Sequence, residues 1–385
     1  MKHHLFIQNV SVTLAGLLLG LVSGCSPASE GGGAPNAGGD SGADEVSSAG
    51  AATASSNNGL CGLPGASVVL PGGNIKGTVG LTTLAADDTT LFVGSYYSIA
   101  AIPLQGGTPK VVYTPAEPLP AFYDFWLRGD NLVVWHWEGL DVLPKGGGTV
   151  KTLDLGSLYT EGHIDADGGA FYAVKDYPKG GDYLARLGDR TWWRFDAKSG
   201  ETLQLAAEKS LGYEESYKVV GDYLYVVQAT GTGKSDDSTP DRLFRMPTKG
   251  GPAEEVPVEG AFHMELAGAR GDDLYFIGST KPEQDAVDNL AIYKLPTAGG
   301  TPAMVIDHEG LKPSRTQFST SFTAFADRDV LCFAGDCFDL PAHGAARHLT
   351  GSGCITGAVL PTEDAIFLVA DGVGETIRVL RVPYE

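Results

Sequence analysis

The stretch Gly271–Ile306, GDDLYFIGSTKPEQDAVDNLAIYKLPTAGGTPAMVI, contains three strand signals separated by two kinds of turn. The apolar segment Leu274–Ile277 follows an Asp-Asp turn, and Ile292–Leu295 follows a polar loop. The Gly- and Pro-rich segment Pro296–Pro302 then leads into a third apolar segment, Ala303–Ile306. Short segments rich in β-branched and aromatic residues, bounded by Gly, Pro and Asp, are typical of hairpin strands. The stretch therefore predicts one antiparallel sheet.

Two features of this stretch recur along the chain. The turn after its second strand recurs with its first residue at Pro103, Pro144, Asp196, Pro247, Pro296 and Pro341. The strand after the acidic turn recurs at Leu91–Val93, Leu132–Val134, Phe171–Ala173, Leu224–Val226, Leu274–Phe276, Leu331–Phe333 and Ile366–Leu368. Units of roughly 40 to 50 residues with four strands are typical of propeller blades. We therefore expect an all-β protein, a seven-bladed β-propeller of four-stranded antiparallel blades.

The two ends of the chain suggest how such a ring closes. The last unit contains three strand signals, near 357–360, 366–370 and 377–382, and then the chain stops. The segment Ser67–Leu70 precedes the first unit and has no unit of its own. We expect this N-terminal strand to complete the last blade, which leaves no open edge. The alternative is a six-bladed ring with one degenerate unit.

The repeated signals also resemble those of a known family. Asp272-Asp273 before Leu274-Tyr275-Phe276, and Leu295-Pro296 before Gly299-Gly300-Thr301-Pro302, are similar to the blade signals of bacterial TolB-like propellers. The resemblance covers roughly residues 67–385 and implies the fold. It implies little about function, because propellers host many unrelated activities.

The N-terminus has the order of features of an export signal. Lys2, His3 and His4 precede the apolar segment Val12–Val22, which is too short to span a membrane permanently. The segment ends in Val22-Ser23-Gly24-Cys25 and resembles the signal of bacterial lipoproteins, which implies acylation of Cys25. We expect residues 1–24 to be the signal peptide, with an ordinary signal peptide and an incidental cysteine as the alternative. By the same resemblance, Ser26 after the cysteine implies the outer membrane of a Gram-negative bacterium.

The next segment is poor in residues that could form a core. Residues 26–59 are mostly Gly, Ala, Ser and Asn, and such a segment does not bury enough apolar surface to offset its ordering entropy. We therefore expect residues 25–60 to be a flexible tether and residues 61–385 to be the propeller domain, which we expect to be monomeric. The formal net charge of the chain is -20, which argues against nucleic acid as a partner.

Four cysteines remain after Cys25. Their even number and an oxidising compartment favour two disulfides. Cys332 and Cys337 flank a four-residue turn, and Cys61 and Cys354 lie at the predicted closing point of the ring. The alternatives are a metal site of Cys332 and Cys337 with His343 or His348, and buried free thiols.

No established catalytic motif is present in the sequence. The segment Asp165–Gly169 is similar to part of a calcium loop, but it lies where the other units carry a β-turn, and the further ligands of such a loop are missing. We therefore predict no metal ion, no cofactor and no catalytic residue.

A ligand face is nevertheless suggested by two sets of residues. Asp124, His163, Tyr217, His263 and, less clearly, Ser321 lie near the starts of the predicted innermost strands, which would line the central channel. Tyr177 and Tyr183 lie in the long loop Lys175–Thr191 of the third unit. The fourth and fifth units also have long loops, at Gln228–Pro240 and Gly278–Asn289, and long loops often carry function.

The sequence therefore favours a membrane-anchored extracytoplasmic propeller that acts as a binding or scaffold module for a protein, peptide or glycan, and not as an enzyme. One alternative is a propeller-type lyase or hydrolase that acts on an envelope or extracellular polymer, with His163 and His263 at the channel mouth. Another is a structural lipoprotein without a small ligand. Shifted pKa values of polar groups that converge in a pocket would favour the enzyme, and a shallow charged or aromatic patch would favour the binding module.

Overall fold

The computed structural model describes residues 63, 65–71, 82–95, 97–115, 124–136, 139–154, 162–164, 170–175, 191–196, 201–206, 214–228, 239–281, 290–307, 320–325, 328–333, 336–340, 347–350, 355–371 and 377–384. Within these ranges the regular secondary structure is β-strand. The predicted signal peptide, Cys25 and the tether lie outside them. No helix in the described ranges has the length and apolar character that crossing a membrane requires.

The strands are named in chain order. The first thirteen are β1 (Ser67–Leu70), β2 (Thr83–Ala86), β3 (Thr90–Gly94), β4 (Ile99–Pro103), β5 (Lys110–Tyr113), β6 (Asp124–Arg128), β7 (Asn131–His136), β8 (Gly139–Pro144), β9 (Lys151–Asp154), β10 (Gly162–Ile164), β11 (Ala170–Lys175), β12 (Thr191–Asp196) and β13 (Thr202–Ala206). The next eight are β14 (Glu214–Val220), β15 (Tyr223–Gln228), β16 (Arg242–Pro247), β17 (Glu254–Val256), β18 (Phe262–Arg270), β19 (Asp273–Ser279), β20 (Ala291–Pro296) and β21 (Ala303–Ile306). The last seven are β22 (Thr320–Ala324), β23 (Asp329–Phe333), β24 (Asp336–Leu340), β25 (Arg347–Thr350), β26 (Ile355–Pro361), β27 (Ala365–Asp371) and β28 (Ile377–Pro383).

In the part of the chain that the structure describes, these strands form seven antiparallel sheets of four strands each. Sheets one to six are β2–β5, β6–β9, β10–β13, β14–β17, β18–β21 and β22–β25, each in sequence order. Sheet seven has the order β26-β27-β28-β1, so it joins the two ends of the chain. In β1, Ser67 pairs with Arg381 and Val68 with Leu380. The chain is thus an all-β propeller with four-stranded antiparallel blades.

The repeated Gly-Gly turn has the same geometry wherever the structure describes it in full. The amide of the first glycine of each pair donates to the carbonyl of the proline three residues earlier, as in Gly299 to Pro296 at 2.8 Å and Gly106 to Pro103 at 2.8 Å. The first glycine has a left-handed backbone, with φ of 91° at Gly299 and 90° at Gly106. A side chain at these positions would be strained, which explains why glycine recurs there.

The same turns also lie close to the outermost strand of the preceding sheet. A Cβ atom on Gly147 would lie 3.2 Å from the carbonyl oxygen of Val112, in the outermost strand of sheet one. A Cβ atom on Gly106 would lie 3.6 Å from the carbonyl oxygen of Val69, in β1. The strand β1 therefore contacts the Gly-Gly turn of sheet one in the same way that β5 contacts the Gly-Gly turn of sheet two.

The hydrophobic core lies between neighbouring sheets, not inside one of them. Tyr225 and Val227 of sheet four pack against Leu266 and Phe276 of sheet five. Between sheets seven and one, Leu70 and Phe367 belong to one cluster with Leu84 and Leu91. Each sheet buries both faces against its neighbours, which is how a propeller forms one core from separate repeats.

The disulfide predicted between Cys332 and Cys337 is confirmed. The two residues pair directly across β23 and β24, and their Cα atoms are 4.0 Å apart. This bond replaces the alternatives of a metal site and of free thiols for that pair. The predicted pairing of Cys61 with Cys354 lies outside the described residues.

Candidate functional site

The candidate site lies on the first strands of neighbouring sheets, which are called the innermost strands here. Neighbouring innermost strands contact each other, as in β14 with β18 and β2 with both β6 and β26. Equivalent positions in different sheets can be compared through their pairing with the second strand, and such a set of equivalent positions is called a level. One level pairs with the residue three positions after the recurring leucine, and in four sheets it carries a polar residue. These residues are Thr83, Asp124, Ser216 and Glu265, opposite Gly94, Trp135, Val227 and Ile277.

A lysine lies one level further along the innermost strand of sheet four. Lys218 pairs with Tyr225, two residues after Ser216, so both side chains are on the same face of β14. The residues at that level in sheets one and two are the apolar Ala85 and Trp126. Lys218 is only 8% exposed, and a buried amine needs nearby negative charge or hydrogen bonds to offset the loss of water. The same level carries His163 in sheet three and Ser321 in sheet six.

Burial shifts the pKa values of two charged groups toward neutral pH. It lowers the pKa of Lys218 to about 8, although the nearby negative charges of Glu265 and Asp124 oppose that shift. It also raises the pKa of Glu265 to about 7, against the opposing charge of Lys218. Protein atoms surround the Glu265 carboxyl, while part of the residue's surface remains exposed. Two groups of opposite charge therefore titrate in the same pH range near neutrality, and such pairs are typical of acid–base sites.

A local irregularity precedes Glu265 in β18. Phe262 pairs with Ser279 and Glu265 with Ile277, so His263 and Met264 lie opposite Gly278 alone. His263 has a φ of 53°, the single left-handed backbone among the non-glycine residues that the structure describes. An extra residue of this kind is a β-bulge, and its left-handed position normally takes glycine.

The predicted ligand-face residues are only partly brought together. Asp124 lies in the innermost strand β6, and its negative charge acts on Lys218. His263 lies in β18 and is half-buried. Tyr217 makes an edge contact with the ring of Trp192, with the ring centres 4.9 Å apart. His163 and Ser321 lie in β10 and β22, but their side chains are outside the description. Tyr177 and Tyr183 lie outside the described residues.

Lys218 and Glu265 were missed by the sequence reasoning. A signal for both was present, because each is a charged residue inside an innermost strand whose neighbours are mostly apolar or small, YKVV and HMELAGA. To use that signal, one must know which residues of neighbouring innermost strands lie side by side. The sequence gives this alignment only to within a residue or two. The bulge at His263 makes this uncertainty larger in β18.

A second buried polar group lies between sheets one and two. The Asp141 carboxylate accepts hydrogen bonds from Tyr113 at 2.8 Å and from Thr152 at 2.6 Å, and the His136 Nε2 lies 3.2 Å from it. Burial acts to raise the pKa of Asp141, but the bonds from His136, Thr152 and Tyr113 outweigh it and lower the pKa. A carboxylate that is bound in this way links sheet one to sheet two, because Tyr113 lies in β5 and Asp141 in β8.

Metal chemistry has no candidate in the described part of the chain. No group of three or more His, Cys, Asp or Glu side chains there is placed to hold an ion. The candidate site consists of Lys218 with Glu265 and Asp124, whose charges act on it, and Ser216 lies on the same face of β14 as Lys218.

The sequence matches no protein family and no curated protein. Solved structures share the fold. An oligogalacturonate lyase from Vibrio parahaemolyticus has a TM-score of 0.54 at 11% identity, over 77% of this chain and 88% of that chain. An oligogalacturonate lyase in complex with manganese has a TM-score of 0.53 at 12% identity, over 84% and 92%. A putative TolB from Agrobacterium tumefaciens has a TM-score of 0.39 at 15% identity, over 57% and 77%.

These similarities correct one expectation. The prediction that the chain is not an enzyme is contradicted, because the same fold is that of oligogalacturonate lyases in two of these structures. The low identity shows a common fold and not a common activity. The prediction relied on the absence of known motifs, and a fold that enzymes also use removes that ground.

Proposed function

We propose that this protein is an acid–base enzyme, a lyase or hydrolase that acts on an extracytoplasmic polysaccharide. The observation that carries the proposal is the pair of Lys218 and Glu265 on neighbouring innermost strands, whose pKa values burial moves to about 8 and about 7. Between these values Glu265 is ionised and Lys218 is protonated. Glu265 can then accept a proton while Lys218 donates one, as general acid–base catalysis requires.

Either reaction class needs these two roles. In a lyase, the base removes a proton from the carbon next to a uronate carboxylate, the bond to the glycosidic oxygen breaks, and a carbon–carbon double bond forms. The acid gives its proton to the departing oxygen. In a hydrolase, the acid protonates the same oxygen while a base activates water. Asp124, whose charge acts on Lys218, would stabilise the protonated amine in both cases.

The structural neighbours support a polysaccharide as the first substrate to test. Two of them carry the name oligogalacturonate lyase, at TM-scores of 0.53 and 0.54. The net charge of -20 does not favour binding of a long negatively charged polymer. The positive charge of the buried Lys218 can nevertheless pair with one uronate group. Polygalacturonate and a neutral galactan are therefore a matched pair of test polymers.

The decisive experiment measures two products from each polymer, new reducing ends and the ultraviolet absorbance of a new carbon–carbon double bond. A lyase gives both signals and a hydrolase gives only reducing ends. The pH profile should be bell-shaped, with activity rising as Glu265 loses its proton and falling as Lys218 loses its own. Lys218→Met and Glu265→Gln should each lower kcat by about 10²–10⁴-fold.

Matched controls are available on the outer surface. Lys294→Met and Glu254→Gln remove exposed charges from β20 and β17 without touching the innermost strands, and they should leave kcat unchanged. If wild type cleaves a polymer and both site variants keep its rate, the site assignment is wrong. If no polymer of either charge is cleaved, the proposed substrate class is wrong.

A second candidate is ligand binding through the long loops of the third to fifth units, for a protein, peptide or glycan. The uneven loop lengths favour it, because the loops Lys175–Thr191 and Gly278–Asn289 are long while the corresponding loops of the first, second and sixth units are short. The test is retention of one envelope component by the intact protein and its loss when both loops are shortened. Retention that survives loop removal would exclude this candidate.

We further propose that the seven sheets are the blades of one closed ring, with β1 as the closing strand, and that Cys25 anchors the protein to the outer membrane. The pairing of β1 with β28 supports the ring, and the order of residues around Val22–Cys25 supports the anchor. Labelled palmitate should enter the wild-type chain and not the Cys25→Ser variant. Equal labelling of both chains would exclude acylation at Cys25.

A further inference from the structure

The backbone on both sides of Glu265 is fixed by side chains of the neighbouring sheet. The amide of Met264 donates to the Asp241 carboxylate at 2.8 Å, and the amide of Leu266 donates to the Ser216 hydroxyl at 2.8 Å. Asp241 and Ser216 are both buried. Ser216 lies in β14 with Lys218, and Asp241 directly precedes β16 of the same sheet. Glu265 thus lies between two anchors provided by the sheet that carries its charge partner.

The anchor at Asp241 also holds the bulge in place. The Asp241 amide donates to the carbonyl of Ala261 at 2.9 Å, while its carboxylate accepts from Met264. One residue therefore holds both ends of the segment Ala261–Met264, in which His263 has its left-handed backbone. Opposite this segment, a Cβ atom on Gly278 would lie 2.9 Å from the Phe262 carbonyl oxygen, so the bulge also depends on a glycine there.

A bulge next to a functional group commonly redirects a side chain. A regular strand from Phe262 would place its residues in strict alternation, and the extra residue at His263 changes that phase before Glu265 is reached. A left-handed histidine is unfavourable, and unfavourable backbone conformations persist where the surrounding structure imposes them. Here Asp241 bonds to Ala261 and Met264, on either side of the left-handed His263, and Glu265 follows Met264 directly.

We propose that Asp241 and Ser216 are positioning residues for the acid–base pair, and that the bulge at His263 sets the position of Glu265 relative to Lys218. This inference rests on the proposed function for its meaning, but its geometry can be tested without a substrate. Asp241 holds the bulge, Ser216 holds the residue after Glu265, and together they keep the Glu265 carboxyl enclosed beside Lys218.

The experiment follows the Glu265 carboxyl by NMR in the full chain labelled with ¹³C-glutamate, with Glu265→Gln used to assign the signal. Asp241→Ala and Ser216→Ala should each move the Glu265 pKa down toward its ordinary value. We expect a change of about tenfold in the proton-binding constant, because water reaches a carboxyl that is no longer held. Asp241→Asn keeps an oxygen acceptor for the Met264 amide and should keep the wild-type titration.

Two variants at His263 test the bulge itself. His263→Gly adopts the left-handed backbone without strain and should keep the Glu265 titration while raising the melting temperature by roughly 2 °C. His263→Val disfavours that backbone and should shift the titration as Asp241→Ala does. These two substitutions separate the role of the backbone from any role of the imidazole.

The inference is overturned if Asp241→Ala and Ser216→Ala lower the melting temperature but leave the Glu265 titration unchanged, because the contacts would then be only structural. It is also overturned if His263→Val titrates like the wild type. Failure of the proposed function gives a different pattern. Polymer cleavage would then be absent or independent of Lys218, while the titration shifts in the anchor variants would still be present.

Discussion

At the scale of single residues, burial acts on the carboxyl groups of Asp141 and Glu265, and the net effects on their pKa values are opposite. Hydrogen bonds from His136, Thr152 and Tyr113 lower the pKa of Asp141, although burial acts to raise it. Glu265 is enclosed with Lys218 as its opposing charge, and burial raises its pKa to about 7. A bound carboxylate favours the ionised form, while an enclosed one favours the neutral form. The difference separates a structural carboxyl from a candidate catalytic one.

The first prediction concerns Tyr113→Phe, which removes one donor to Asp141. Because the folded pKa of Asp141 lies below its ordinary value, its contribution to stability is present above about pH 4 and is lost as the pH falls through the folded pKa. The variant should lose about 1–3 kcal/mol of unfolding free energy at pH 7, and less in acid. Urea unfolding at several pH values measures this. Tyr97→Phe, at an exposed tyrosine, is the control, and an equal loss in both variants would contradict the prediction.

The second prediction concerns Glu265→Gln and has the opposite sign. The folded pKa of about 7 lies above the ordinary 4.5, so the contribution of Glu265 is present below about pH 4.5 and is lost as the pH rises through 7. Relative to the variant, the wild type should lose on the order of 2 kcal/mol of unfolding free energy between pH 5 and pH 8. Chemical unfolding of both chains across this range gives the difference. A difference that stays constant with pH would show that the Glu265 pKa is not raised.

At the scale of the element, the repeated Gly-Gly turn shapes its own hairpin and also contacts the preceding sheet. Its first glycine has a left-handed backbone, and in sheet five this glycine, Gly299, also lies against Pro257 of the preceding segment. Further hydrogen bonds tie these turns to the turn between the first two strands, as in Thr297 to Asp272 at 2.7 Å and Thr248 to Asp222 at 2.8 Å. The turns therefore define the spacing between strands within a sheet and between sheets.

The third prediction compares Gly299→Ala with Gly271→Ala. Both glycines have a left-handed backbone, but a Cβ atom on Gly299 would collide with the Pro257 carbonyl, whereas a Cβ atom on Gly271 would meet nothing within 4 Å. Gly271→Ala should cost about 1–2 kcal/mol of unfolding free energy from backbone strain alone. Gly299→Ala should cost clearly more, because steric overlap adds to the strain. Equal losses in urea unfolding would show that contact between the segments does not matter.

These elements show how far the sequence leads. Leu274-Tyr275-Phe276 and the Pro-x-x-Gly-Gly turns predicted the strands and their hairpins, because both depend on local backbone preferences. The pair of Lys218 and Glu265 was not predicted, because it joins strands of two sheets and depends on a bulge at His263. A histidine with a left-handed backbone has no sequence signal of its own, since glycine is the residue expected there.

At the scale of the whole molecule, the pairing of β1 with β28 joins strands that are far apart in the sequence. In sheet seven, β1 covers the edge of β28, and Leu70 packs in a cluster shared with sheet one. Loss of this contact would expose a strand edge and part of the core at the same time. Each repeat contacts only its neighbours, so we expect a substitution that weakens the contact between sheets seven and one to act first on that boundary.

The last prediction tests this with Leu70→Ala and Val68→Ala in the same strand. Leu70 is fully buried between sheets seven and one, while Val68 is 40% exposed on the rim. Leu70→Ala should lower the unfolding free energy by about 2–5 kcal/mol, and Val68→Ala should change it by less than about 0.5 kcal/mol. If β1 closes a single cooperative unit, Leu70→Ala lowers the urea midpoint and leaves the slope of the transition unchanged. A shallower or two-step transition would instead show that sheets seven and one separate before the other sheets unfold.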